Sequence, residues 1–120
     1  MDQRSLREGV GQDGQVPRYA IPPDMPPEVE AIIDVIGNRA REAIVRHLAL
    51  HGPAPTVTLQ DVAGTGRAAT VRHLRTLEAA GLVRADIPAE HRSGHTPTWH
   101  LNRAELERHL AALRSYLLGE

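Results

Sequence analysis

The residues best suited to chemistry are arginines on one short stretch. Arg67, Arg72 and Arg75 follow the turn Gly64-Thr65-Gly66, and no acidic residue interrupts the interval from Arg67 through Thr76. An arginine guanidinium can hold a phosphate, or read a guanine edge through two parallel hydrogen bonds. Thr65 and the backbone N–H groups near Gly66 are placed to hold a phosphate at a helix N-terminus. Thr70 stands near that same end. The stretch reads as an amphipathic helix: Leu74 and Leu77, with Val71 or Thr70 a turn earlier, form the inward stripe. That leaves Arg67, Arg72 and Arg75 outward, and Gly81 ends the helix as a C′ residue.

The neighbouring elements position this helix. Thr58-Leu59-Gln60-Asp61-Val62-Ala63 reads as a short helix before the turn, with Thr58 as its cap and Asp61 three residues on. Leu82 to Ile87 alternates as a strand, and Thr98-Trp99-His100-Leu101 returns beside it. The loop from Pro88 to Pro97, with Ser93-Gly94 at its tip, carries Arg92 and His95, candidates for a backbone or minor-groove contact. Helix, tight turn, arginine-bearing helix and hairpin together make a geometry that enters a DNA major groove. His73 reads as structural, packing at the junction of helix and hairpin.

These residues resemble the winged helix-turn-helix transcriptional regulators of the ArsR type. The likeness is carried by Arg41, Ile44 and Leu48, then Leu59 and Gly64, then His73-Leu74, Leu77 and Ala80-Gly81-Leu82-Val83, within a span from about Pro27 to Gly119. Arg92-Ser93-Gly94 and Pro97 to Leu101 resemble the wing of related regulators. Gly66 stands where that family usually has a serine or threonine cap. The resemblance implies a mainly α fold, about five helices with a two- or three-stranded antiparallel sheet, and dimerisation through the first and last helices. It also implies a cysteine metal site near Pro55 and Val57, which this chain lacks.

Composition bounds the rest. A chain of 120 residues gives one domain plus a tail, 1–25 flexible and 26–119 folded. Phenylalanine is absent and Trp99, Tyr19 and Tyr116 are the only aromatic residues, so the core must be aliphatic. Net charge is −1, so any DNA reading rests on local placement. There is no cysteine, hence no disulfide, thiol nucleophile or thiolate site. No apolar run spans a bilayer and no signal h-region opens the chain, so a cytoplasmic location is expected.

In the tail, Arg4, Arg7 and Arg18 are offset by Asp2, Glu8, Asp13 and Asp24, and only Tyr19-Ala20-Ile21 has packing potential. Pro26-Pro27 opens a helix with Val29, Ile32, Ile33 and Ile36 as its stripe. Asn38 caps the next helix, whose inward residues are Ala40, Ile44, Val45 and Leu48, and His51-Gly52-Pro53 ends it. Ala54 to Val57 is extended and fits a third strand. Asn102 caps the last helix, with Glu105 reaching back. Leu106, Leu110, Leu113 and Leu117 repeat at the spacing of a helix–helix seam. With Ile32 and Ile36 they form the expected dimer interface.

No metal or cofactor is expected. Glu105, Glu107 and His109 do not match the family's last-helix site, and His91, His95 and His100 do not have a closed zinc spacing. No phosphate loop, nucleophile elbow or paired carboxylates suggest an enzyme. The resulting expectation is a sequence-specific DNA-binding regulator, a dimeric repressor on a near-palindromic operator, with double-stranded DNA as partner. Two alternatives remain: a winged-helix module that binds protein, and an accessory factor in phage or plasmid recombination or replication.

Overall fold

In a computed structural model, residues 20–120 are described. Most of the expected tail, including Tyr19, lies outside them. Ala20 and Ile21 are exposed, so they do not pack onto the body as anticipated.

The elements follow in the order α1 (Pro27–Ile36), α2 (Arg39–His51), β1 (Ala54–Pro55), α3 (Thr56–Ala63), α4 (Arg67–Ala79), β2 (Val83–Ala85), β3 (Thr98–Leu101) and α5 (Arg103–Leu118). A single 3₁₀ turn, Ala89–His91, lies inside the loop between β2 and β3. The sheet is antiparallel in the order β1-β3-β2, with Ala54 and Ala85 flanking Trp99 on either side.

Side-chain spacing accounts for the helices. In α1 Val29, Ile32 and Val35 are buried, whereas Ile33 is 47% exposed. The inward stripe therefore passes through Val35 and not Ile33, which points outward. Asn38 caps α2 as expected, its Oδ1 accepting from the Arg41 amide at 3.0 Å. Ile44, Val45 and Leu48 are buried and Ala40 is half-buried.

The α3 start differs from expectation. Pro55 is its N-cap and Thr56 its first residue, so Thr58 lies inside the helix and caps nothing. The reason is the Thr56 side chain, which is buried and whose hydroxyl accepts from Trp99 Nε1 at 3.0 Å. A tertiary hydrogen bond draws Thr56 and Val57 out of the extended segment, leaving β1 two residues long. The core that results is aliphatic around one indole: Ile32, Ile44, Leu48, Leu59, Leu74, Leu77, Leu82 and Trp99.

Asn102 caps α5, accepting from the Glu105 amide at 3.2 Å, but the Glu105 carboxylate turns to Arg108 instead of reaching back. The α5 seam divides. Leu106 and Leu113 pack against the core, while Leu110 and Leu117 are 42% and 69% exposed. His109, between the two inward leucines, is buried and its Nδ1 lies 2.9 Å from the Glu105 carbonyl.

Candidate nucleic-acid interface

The turn between α3 and α4 is built by Gly64, which takes the left-handed conformation at φ 68° and donates to the Gln60 carbonyl. Gly66 then leaves the α4 N-terminus without a side-chain cap. At the other end Gly81, at φ 80°, donates to Glu78 and Leu82 donates to Leu77. That pair of bonds is a Schellman ending, and it turns the chain directly into β2.

Thr70, Leu74 and Leu77 make the buried face of α4. Thr70 is thus not available to DNA. Its side chain is fully buried, its hydroxyl 2.7 Å from that of Thr65 and donating to the Gly66 carbonyl at 2.9 Å. The Thr70 hydroxyl closes the turn in place of a cap. Thr65 is half-buried beside it, its hydroxyl already engaged.

At 100° per residue, the direction opposite Thr70 and Leu74 is occupied by Ala68, Arg72 and Arg75. All three are exposed, as is Arg67. None of these arginines has a side-chain partner among the described residues. Ala68 is the residue that sequence reasoning missed. It takes the outward N-terminal place assigned to Thr70, and the helical period alone would have found it. A methyl group there suits contact with a thymine methyl.

Arg92 is not a free contact either. Its guanidinium makes a two-pronged pair with Glu78 of α4, at 3.2 and 2.6 Å, and its Nε donates to the Ile87 carbonyl at 2.8 Å. It also stacks 5.0 Å from the Trp99 ring centroid. Those bonds spend the charge on holding the wing against α4. His95, by contrast, is exposed on the wing loop. His73 does not sit at the helix–wing junction. It faces α2, where its Nδ1 lies 3.1 Å from Arg41 Nη1. Arg41 in turn donates through Nε to the Val35 carbonyl and through Nη2 to that of Asp34 at 3.3 Å. Burial, followed by the charges of Arg41 and Arg72, holds the His73 imidazole below its usual range.

The candidate interface is therefore an exposed arginine-bearing helix, braced by α2 on one flank and by the wing on the other. The fold is that of the winged helix-turn-helix transcriptional regulators. An ArsR family transcriptional regulator superposes with a TM-score of 0.59 at 19% identity, over 84% of this chain and 91% of its own. NolR from Sinorhizobium fredii gives 0.56 at 22% identity, over 85% and 98%. A transcriptional regulator homologue from Pyrococcus horikoshii gives 0.53 at 25% identity, over 77% and 95%. No protein-family model and no curated protein sequence matches the chain.

Among the described residues no three of His, Cys, Asp and Glu gather as a metal site would require. No described helix is long and apolar enough to cross a membrane.

Proposed function

We propose that this chain is a sequence-specific DNA-binding transcriptional regulator, acting as a dimeric repressor. The observation that carries the reading is the unpaired outward set Arg67, Arg72 and Arg75 on a helix braced for insertion. In this reading α4 enters the major groove, with Ala68, Arg72 and Arg75 toward the bases and Arg67 toward the flanking backbone. The uncapped N–H groups of the first α4 turn meet a phosphate, Thr65 holding that turn through the Thr70 hydroxyl, and His95 meets the backbone from the wing. Thr70 and Arg92 position these groups without touching DNA.

The dimer surface is revised by burial. Ile32 is sealed in its own core, and Ile36, Leu106 and Leu113 pack on it. Ile33, Leu110, Leu117 and Leu118 are the large apolar residues that α1 and α5 leave exposed, and a second copy would cover them. A twofold pair would set two α4 helices about 34 Å apart, matching a near-palindrome, and repression would follow from covering a promoter.

Selection of bound fragments from sheared source-genome DNA tests the reading. One enriched near-palindrome, lost steeply as salt rises, supports it. Diffuse or absent recovery would favour the protein-binding alternative, which the net charge of −1 supports.

A further inference from the structure

The exposed apolar residues Ile33, Leu110, Leu117 and Leu118 lie on α1 and α5, and the exposed arginines lie on α4. These two surfaces belong to different parts of the packing. α1 packs on α5, with Glu28 paired to Arg108 at 2.6 Å, whereas α4 packs on α3 and β2. The element that packs on both α1 and α4 is α2. The corner before it is tightly closed: a Cβ on Gly37 would lie 2.9 Å from the Ile33 carbonyl, and Asn38 holds the Arg41 amide at 3.0 Å.

Arg41 extends from that corner in both directions. Its Nε and Nη2 donate to the carbonyls of Val35 and Asp34 at the end of α1, and its Nη1 lies 3.1 Å from His73 Nδ1 on α4. A guanidinium presents donors along several directions of one rigid plane, whereas a lysine ammonium is a point charge that would serve one helix at a time. Burial, then the charges of Arg41 and Arg72, hold the imidazole below its usual range, which keeps Nδ1 free to accept.

One base pair of added spacing shifts a half-site by about 3.4 Å and turns it by about 35°. Two α4 helices held rigidly on a paired α1–α5 body cannot follow that change, and loosely held ones can. We infer that Arg41 is a positioning residue: by tying α4 to the end of α1, it makes a pair of chains accept one half-site separation and reject its neighbours. The spacing step rests on the dimeric DNA-binding reading. The tie between the helices does not.

The chain has no cysteine, so Asp34→Cys and Ala79→Cys place two spin labels at exposed positions, one on α1 and one on α4. The labelled full chain is mixed with an excess of unlabelled chain, so that only distances within one chain are read. The distance distribution should be narrow, and should broaden by about 1–2 Å, the scale of a helix shift, in His73→Leu and in Arg41→Lys. His73→Leu cuts only the α4 arm and leaves Arg41 on the α1 carbonyls, so it decides the outcome if Arg41→Lys does not fold. An unbroadened distribution in the folded variants overturns the tie.

In the second arm, the selected near-palindrome is remade with one base pair added or removed between its half-sites. Wild type should lose about tenfold in affinity at either change, and the two variants about threefold or less. Binding to an isolated half-site should be equal in all three proteins, which a merely destabilised α4 would not leave unchanged. Equal spacing preference in wild type and the folded variants, with the distribution broadened, overturns the spacing role. Failure of wild type to bind any DNA fragment sinks the regulator reading and the spacing role with it, and leaves the label distances to decide the tie.

Discussion

Arg92 and Glu78 form a two-pronged ion pair between the wing and α4, closing to 2.6 Å with side-chain exposures of 14% and 31%. The same guanidinium stacks on Trp99 and is bonded to the Ile87 carbonyl. One side chain thus ties the wing loop, the strand β3 and α4 together, and fixes the angle between wing and helix.

Arg92→Ala should therefore behave as a stability substitution. Loss of the pair, the stacking and the carbonyl bond should cost about 1–3 kcal/mol. In a domain of this size that is a fall of several degrees in melting temperature, at about 4–8 °C per kcal/mol. A melting temperature unchanged in Arg92→Ala, with DNA binding lost, would return Arg92 to the contact set.

Arg67→Ala and Arg72→Ala should show the opposite pattern. Both side chains are exposed and unpaired among the described residues, so melting should shift by no more than about 0.5 kcal/mol equivalent. Operator affinity should fall by about 1–3 kcal/mol in each. Arg72, outward at the middle of α4, should relax base preference. Arg67, on the wing side, should weaken binding to all sequences alike and lower the salt slope by about one. Equal operator affinity in wild type and both variants would sink the recognition-helix assignment.

His73 supplies a pH prediction. Its Nδ1 accepts from Arg41, so the neutral ring carries its proton on Nε2. Protonation would place a second donor and a positive charge against Arg41. Because the folded-state pKa lies below the ordinary 6.5, the unfolded chain binds more protons as pH falls. The contribution is whole above about pH 6.5 and is lost as pH drops toward the folded-state value. Denaturant midpoints from pH 8 to 5 should decline below 6.5 in wild type and decline less in His73→Gln. Parallel curves for the two proteins would remove His73 as a source of acid sensitivity.

Much of this architecture is legible from spacing and punctuation. The leucines of α4, the glycines at 64 and 81 and the asparagines at 38 and 102 each act through local backbone geometry, which a single sequence displays. What was not legible depends on partners distant in sequence. Thr56 begins α3 because Trp99, 43 residues on, needs an acceptor. Arg92 looks free until Glu78, 14 residues earlier, comes within reach. Ile32 and Ile33 are alike as side chains, and only the packing of α1 decides which is buried. Helical spacing admits Thr70 both as core and as contact, and the hydroxyl of Thr65 explains how a polar residue occupies the core position.

Gly81→Ala should destabilise by about 1–2 kcal/mol. A Cβ there would meet only Glu105 Cγ at an ordinary 3.7 Å, so the cost is conformational, from φ 80°. Gly66→Ala gives the contrast: its φ is −70° and nothing lies within 4 Å of the added carbon. Thermal melts should separate the two variants clearly. Similar melting temperatures would mean that the turn into the wing does not depend on a left-handed residue.

Leu117 tests the proposed pairing of copies. It is 69% exposed on the last turn of α5, with Leu118 beside it at 57%. Within one chain, Leu117→Glu should change stability by no more than about 0.5 kcal/mol. Across an interface between copies it would bury an unpaired carboxylate, weakening dimerisation by at least about 2 kcal/mol. Sedimentation equilibrium should therefore give twice the chain mass for wild type and the single-chain mass for Leu117→Glu at equal concentration. Leu106→Ala should act differently, because Leu106 packs on its own core: it should lower the unfolding free energy by about 2 kcal/mol. A wild-type chain that sediments as a monomer, or a Leu117→Glu chain that stays a dimer, would move the contact between copies off α5.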